Sequence, residues 1–419
     1  MNIFEQVESE VRSYCRSFPV VFDKAEGCYI YDEDGNRYLD FFAGAGALNY
    51  GHNNPYIMEK VADYIKHGGI MHALDMHTVA KRRFLEHFEE KILKPRGLDY
   101  KVMFPAPTGT NAVESAFKLA RKVKQRETIF AFTGAFHGMT LGALAATSNS
   151  YHRDISGTPL YGVTFMPFPY GFNKNFDTIE YMENIITDDH SGSEIPAAVI
   201  VETVQAEGGI IPVDVEWLRR LRALCDKYGI LLIIDDIQIG CGRTGNFFSF
   251  ERAGIVPDMV TLSKSIGGCG LPMALLLLKP ELDIWKPAEH NGTFRGNQLA
   301  FVAADAALDV LEDTKLLDHV KKADAFVKDY IEKNILPLDS RITYRGLGLI
   351  YGIDFSALDP SGELAGKISK LCFKKKLIIE RSGRNDTVLK ILPPLVITEK
   401  ELEDGLRIIE DSAKEVLGA

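Results

Sequence analysis

What most limits the fold of this chain is the stretch between residues 197 and 235. Two short apolar runs, Ala197-Ala198-Val199-Ile200-Val201-Glu202 and Ile230-Leu231-Leu232-Ile233-Ile234-Asp235, each close on an acid. Between them Trp217, Leu218, Leu221, Leu224 and Tyr228 recur at helical spacing. That stripe stops at Gly229, a residue type that ends helices because it tolerates a left-handed backbone. Strand, helix and strand in that order form a crossover unit whose strands run parallel and are buried on both faces. The fold class is therefore α/β, with a mostly parallel sheet. Ligands of such sheets sit beyond the carboxyl ends of the strands. Glu202 and Asp235 fall at such ends. So does Lys264, which follows Met259-Val260-Thr261-Leu262-Ser263 and precedes the turn Ser265-Ile266-Gly267-Gly268.

Helices alternate with short apolar runs from about residue 56 to 310, which predicts one large domain over that range. The pattern then changes. Helical stretches near 298–312 and 316–334 lead to a strand at Leu347–Ile353, a helix near 362–375, and strands near 377–381 and 387–392. Thr398-Glu399-Lys400-Glu401 is a capping box that opens a last helix. Residues 311–419 are expected to form a small α+β domain, joined by residues 1–55. In that N-terminal part Phe4, Val7, Val11 and Tyr14 predict an amphipathic helix. Cys28-Tyr29-Ile30-Tyr31 and Arg37-Tyr38-Leu39 flank Asp32-Glu33-Asp34-Gly35-Asn36 as a hairpin. Phe41–Pro55 reads as a loop.

Composition excludes some classes of function. With 46% hydrophobic residues and 25% charged residues the chain is ordinary for a globular protein. A net charge of -10 argues against nucleic acid or an anionic membrane as the main partner. No apolar run reaches the roughly 18 residues of a membrane span. Asn2-Ile3-Phe4-Glu5-Gln6 has neither the basic nor the apolar region of an export signal, so a cytoplasmic location is expected. Cys15, Cys28, Cys225, Cys241, Cys269 and Cys372 show no metal-ligand spacing and read as reduced core thiols; no metal site is expected.

The chemistry gathers at the strand ends. A lysine where a buried strand meets a loop is partly desolvated, which disfavours its ammonium and frees an amine able to attack an aldehyde. A carboxylate such as Asp235 needs a charged or donor partner there, because an unpaired buried charge is costly. A protonated pyridine nitrogen would supply one, and so would Arg243. An amine and an acid of this kind are what pyridoxal 5′-phosphate (PLP) requires. Thr108-Gly109-Thr110-Asn111 precedes a helix from about Ala112 to Lys122, whose free N–H groups and dipole suit a phosphate. The plain alternative is a threonine N-cap. Phe136-His137-Gly138 offers two rings to stack on a flat heterocycle, or merely a structural histidine. Gly240-Cys241-Gly242-Arg243-Thr244-Gly245 matches the dinucleotide pattern, but Asn246-Phe247-Phe248-Ser249-Phe250 carries no helical stripe behind it. It is not read as a nicotinamide site.

The order of these pieces resembles the class III (ω-amino acid) branch of the fold-type I PLP-dependent aminotransferases. The likeness spans nearly the whole chain. It is carried by Asp34 through Asp40, Gly51-His52-Asn53-Asn54-Pro55, Thr108-Gly109 through Arg121, Phe136-His137-Gly138, Glu202 to Gly208, Asp235 to Gly245, Ser263-Lys264, Thr293-Phe294 and Pro393-Pro394-Leu395. The resemblance implies a fold-type I PLP-dependent transferase, with a large domain of mostly parallel sheet and a small α+β domain. It implies that Lys264 holds the cofactor as a Schiff base and that Asp235 pairs with the pyridinium nitrogen. Gln238 would reach the ring hydroxyl, and Phe136 and His137 would cover the ring face. Gly109 and Thr110 would hold the phosphate. Thr293 would reach the phosphate of a neighbouring subunit, so a homodimer or a dimer of dimers is implied. Glu207 matches a family glutamate near the substrate carboxylate. Tyr29, Arg295 and Lys390 complete the expected substrate-binding set.

Departures from the family pattern bear on the substrate. Met139 and Lys390 stand where many members carry arginine. A lysine is a point charge and not a bidentate fork, so carboxylate capture must differ in detail. Arg295 replaces a usual glycine and could supply the missing cation. Ala45 stands where ornithine-type members place an aromatic. Together with Phe41 through His52 and Thr293-Phe294-Arg295-Gly296-Asn297, these features are most similar to members that move an amino group from L-glutamate to L-aspartate 4-semialdehyde, the entry to ectoine synthesis. A 4-aminobutyrate or ornithine transaminase and a semialdehyde aminomutase remain alternatives.

Overall fold

In the computed structural model, which describes residues 2–418 (Phe172 by its backbone alone), Ala198–Val201 and Leu231–Asp235 pair in parallel, with Leu231 opposite Ala198. The helix Val215–Tyr228 joins them. Asp214 caps its start by accepting from the N–H groups of Glu216 and Trp217, and Gly229 ends it at φ 61°. Its buried stripe is Trp217, Leu218, Leu221, Leu224 and Cys225; Tyr228 is half-buried. The complete sheet has seven strands in the order Lys101–Met103, Leu275–Leu278, Met259–Leu262, Leu231–Asp235, Ala198–Val201, Ile129–Phe132 and Val163–Met166. Leu275–Leu278 runs antiparallel to both its neighbours; its four leucines are buried, as a strand covered on both faces requires. Asp235 lies in register with Thr261 on the next strand. Asp235 and Lys264 therefore leave adjacent parallel strands at the same edge.

Two four-stranded sheets lie outside this layer. Thr343–Leu347, Ile350–Asp354, Val388–Ile391 and Glu380–Ser382 form an antiparallel sheet in that order. Phe22–Glu26, Tyr29–Asp32 and Arg37–Asp40 form a second sheet, which Leu377–Ile378 extends in parallel. The N-terminal hairpin is thereby tied to the C-terminal part of the chain. Thr398 and Glu401 close the capping box of the last helix, Glu399–Leu417. No helix among the described residues is long and apolar enough to cross a membrane.

Three expectations are corrected. The strand expected at Leu347–Ile353 is a hairpin, because Gly348 turns the chain at φ 64° with its α-carbon against Arg243; a Cβ there would sit 2.2 Å from the Arg243 carbonyl oxygen. The single N-terminal amphipathic helix is instead two short helices, Ile3–Val7 and Tyr14–Ser17. Its apolar residues Phe4, Val7 and Val11 stay exposed, and without a surface to bury that stripe a helix of this length is marginal. Cys15 is exposed, so it is not a core thiol.

Candidate active site

A cavity of about 160 Å³ opens beyond the carboxyl ends of the central strands. Its walls bring together Lys264, Asp235, Gln238, Phe136, His137 and Glu207, along with Gly109 and Thr110. Residues separated by up to 155 positions meet here because the strand ends do.

Lys264 is held at φ 53°, a left-handed conformation that costs a side-chain-bearing residue about 1–3 kcal/mol. The turn around it is pinned on both sides. The Ser263 hydroxyl donates to the Met273 carbonyl at 2.9 Å, and the Ser265 hydroxyl to the Gly46 carbonyl at 2.5 Å. Gly268 lies so close to the helix Gln298–Asp313 that a Cβ would sit 2.5 Å from the Ala303 carbonyl oxygen. Burial pushes the Lys264 amine down to about 8; Glu207 opposes the shift and Lys390 adds to it. A useful fraction of this lysine is neutral near pH 7.

Asp235 is buried and doubly held. Its Oδ2 lies 2.7 Å from His137 Nδ1, and its Oδ1 accepts from the Ile237 N–H at 3.1 Å. Arg243 is not its partner. That guanidinium is fully buried elsewhere and donates to the carbonyls of Leu349 and Pro393 and to Asn49 Oδ1. His137 is thus committed through Nδ1 to Asp235, and both it and Phe136 line the cavity. Burial works against the His137 imidazolium, but Asp235 more than offsets it and raises the pKa.

At the start of the helix Gly109–Lys124 the N-cap reading fails. Thr108 occupies the cap position, yet its hydroxyl donates to Asn111 Oδ1 at 2.6 Å and caps no backbone N–H. Thr110 is pressed against Gly138, where φ is 136° and a Cβ would sit 2.5 Å from Thr110 Oγ1. Gly109 admits Ile237, whose Cδ1 would lie 2.9 Å from a Cβ. An uncapped helix start beside two small residues suits a phosphate. Gln238 donates through Nε2 to the Ala45 carbonyl at 2.9 Å, while its buried Oε1 has no hydrogen-bond partner. A ring hydroxyl would satisfy that orphaned acceptor. The amine, the buried acid, the open helix start and the lone amide oxygen fit PLP.

The substrate residues divide differently from expectation. Glu207 lines the cavity, but Lys390 is wholly buried and clamped between two carboxylates, 2.5 Å from Glu207 Oε1 and 3.1 Å from Glu380 Oε2. It is a structural counter-charge and not a free cation for a substrate carboxylate. Arg295 does not line this cavity. It pairs with Asp75 and donates to the His290 carbonyl at 3.1 Å, in a separate cleft of about 480 Å³. Thr293 is exposed, and its carbonyl lies 2.9 Å from His72 Nε2. Tyr29 lies outside the lining too, its ring under the Arg37 guanidinium at 4.4 Å.

Two acids were missed as site residues. Glu202 lines the cavity, accepts from the Phe136 N–H at 3.0 Å, and has its carboxyl pushed up to about 7 by burial. Its sequence signal, an acid closing an apolar run, was the same as that of Asp235. Glu380 faces Lys390 directly across two antiparallel strands. Only the strand register reveals that pairing.

The sequence profile of the family Aminotransferase class-III matches residues 12–412. The chain is 53% identical over 418 residues to the diaminobutyrate–2-oxoglutarate transaminase of Wolinella succinogenes, covering 100% of this chain and 97% of that one. It is 54% identical to the enzyme of the same name from Halalkalibacterium halodurans, covering 99% and 96%. Among solved structures it is similar to the ornithine aminotransferase of Toxoplasma gondii, with a TM-score of 0.85, 26% identity, and coverage of 99% of this chain and 93% of that one. A taurine:2-oxoglutarate aminotransferase from Bifidobacterium kashiwanohense, solved with PLP and glutamate, shares the fold with a TM-score of 0.85 at 23% identity, over 95% and 93% of the two chains.

Proposed function

The chain belongs to the class III aminotransferases, and from that premise we propose that it moves the amino group of L-glutamate to L-aspartate 4-semialdehyde, giving L-2,4-diaminobutyrate and 2-oxoglutarate. The enzyme is PLP-dependent. The observation that carries the chemistry is a half-buried lysine, with its amine pushed down to about 8, sharing one cavity with a doubly held aspartate. The substrate pair is supported by full-length likeness to the diaminobutyrate–2-oxoglutarate transaminases.

Bound PLP would supply an electrophilic carbonyl for amines and an electron-withdrawing ring. Everything else falls to the chain's own side chains. Lys264 Nζ would hold the cofactor, and as a free amine it would take the proton from the donor's amine-bearing carbon and return it on the far side of the transfer. Asp235 would keep a proton on the ring nitrogen, because a buried carboxylate held by His137 and the Ile237 N–H favours a positive neighbour. Gln238 would hold the ring hydroxyl, Phe136 the ring face, and Gly109 and Thr110 the phosphate. Transfer in two halves, each with its own oxo acid, gives ping-pong kinetics.

A homodimer, or a dimer of dimers, working in the cytoplasm is part of this reading. The oligomer is supported by Ile70, Met71, Leu74, Met76 and Phe294, large apolar side chains exposed on the single chain.

The test offers the purified holoenzyme L-glutamate with aspartate 4-semialdehyde, succinic semialdehyde and glutamate 5-semialdehyde in turn, with mass-spectrometric identification of the products. L-2,4-Diaminobutyrate formed with an equimolar amount of 2-oxoglutarate is expected, and Lys264→Ala should form neither. Isomerisation of a semialdehyde with no consumption of glutamate and no 2-oxoglutarate formed would make the enzyme an aminomutase. Preferred formation of 4-aminobutyrate or ornithine would overturn the substrate.

A further inference from the structure

Three charged groups form a cluster at the edge of the cavity, and their charges do not balance. Glu380 and Lys390 are direct cross-strand partners on Glu380–Ser382 and Val388–Ile391. Glu207 reaches the same ammonium from the loop between Val204–Gln205 and Ile211–Pro212. Two carboxylates therefore share one cation. Lys390 is fully enclosed and stays charged: burial disfavours its ammonium, but Glu207 and Glu380 together raise its pKa. Glu207 is lowered, since Lys390 and Lys264 outweigh the effect of its burial. Glu380 is raised, by burial first and by the like charge of Glu207, with Lys390 offsetting only part of the shift. Its Oε2 is buried near Lys390 without a formed hydrogen bond. From the N-terminal segment the Tyr14 hydroxyl faces the same acids and is pushed up to about 12, by burial and then by Glu380 and Glu207.

A lone Glu207–Lys390 pair would be neutral and indifferent to a cation. An ionised Glu380 gives these three groups a net negative charge, and a second ammonium brought beside them favours that ionised form, in a place where low dielectric strengthens the attraction. Glu207 presents that excess to the cavity that holds Lys264. We propose that Glu380 and Glu207 together bind the distal ammonium of the diamino product, the one on the carbon that does not react, and so select an α-amino acid chain over a plain ω-amino acid. The inference rests on the reaction proposed above. Three carbons separate the two nitrogens of L-2,4-diaminobutyrate, so the reacting nitrogen can reach Lys264 while the other faces the cluster. 4-Aminobutyrate is the same molecule without the distal ammonium.

The experiment measures kcat and KM of the holoenzyme with L-2,4-diaminobutyrate and with 4-aminobutyrate as donors to 2-oxoglutarate, for the wild type and for Glu380→Gln. The amide keeps the shape of Glu380 and removes the surplus charge. A loss of about tenfold or more in kcat/KM is expected for L-2,4-diaminobutyrate, mostly through KM, with 4-aminobutyrate unchanged or improved. A parallel fall for both donors, or an unchanged ratio, would overturn the proposal. If the variant does not fold, the wild type is compared on 1,3-diaminopropane and 1-aminopropane, which differ only in the distal nitrogen. Preference for the diamine supports the assignment, and equal use of the two overturns it. Failure of the wild type to use L-2,4-diaminobutyrate at all would instead strike the proposed reaction.

Discussion

The lysine proposed to perform the chemistry should be a burden on the fold of the cofactor-free protein. Burial pushes the Lys264 amine from 10.5 down to about 8. Each pKa unit corresponds to about 1.36 kcal/mol, which sets a ceiling of about 3 kcal/mol; because the side chain retains some solvent, about 2 kcal/mol is the working figure. The sign follows from proton counts. Between about pH 8 and pH 10.5 the unfolded chain holds the proton on this amine and the folded chain has released it. Stability therefore rises with pH across that window; the cost is fully present below it and absent above it. Lys264→Met retains the length and apolar stem and deletes the charge, without relieving the φ of 53°. The apoprotein of this variant should be about 2 kcal/mol more stable than the wild-type apoprotein at pH 7. Urea melts at steps from pH 7 to pH 10 measure the gap, which should narrow through the upper half of the range. A variant no more stable than the wild type, or a gap indifferent to pH, would refute the idea that desolvation primes this lysine.

Asp235→Asn keeps an acceptor for the Ile237 N–H but cannot hold a positive ring nitrogen; kcat should fall on the order of 100-fold, and an unchanged kcat would remove Asp235 from the chemistry. Arg243→Met strips the donors from the Leu349 and Pro393 carbonyls and from Asn49 Oδ1, and should cost about 3 kcal/mol in a urea melt. A loss under about 1 kcal/mol would mean that water replaces the guanidinium in that buried site.

Much of the cofactor end of the site was legible because it obeys local rules. An apolar run marks a parallel strand, its last residue marks a strand end, and strand ends are where such sheets bind ligands. Lys264, Asp235 and the start of the helix Gly109–Lys124 all follow from that chain of reasoning. What was not legible depends on pairings between distant segments. Whether Asp235 meets His137 or Arg243 turns on a contact across 98 residues. The enclosure of Lys390 turns on the register that sets Glu380 opposite it and on a loop glutamate 183 residues away. The Leu347–Ile353 hairpin was hidden because its apolar residues run continuously through Gly348, and only the close approach of Arg243 explains why a glycine must turn there. The N-terminal stripe had the helical period but no partner surface within the described chain, and periodicity cannot report on a missing partner.

The cavity and the charged cluster that reaches it through Glu207 are built on different sheets, and that division has a consequence for specificity. The residues that fit PLP leave the ends of the parallel strands, where the backbone turns are pinned by Ser263, Ser265 and Gly268 and little can change without loss of the cofactor. The charges proposed to meet the far end of the substrate sit as a cross-strand pair on the antiparallel sheet, joined by one loop glutamate. Exchanging Glu380 for a neutral side chain removes the surplus negative charge beside the cavity while leaving the hydrogen bonds of Asp235 and Gln238 in place. Substrate choice is thus separable from catalysis in this fold: a single strand position, opposite a buried lysine, decides whether the cluster is neutral or attracts a second amine.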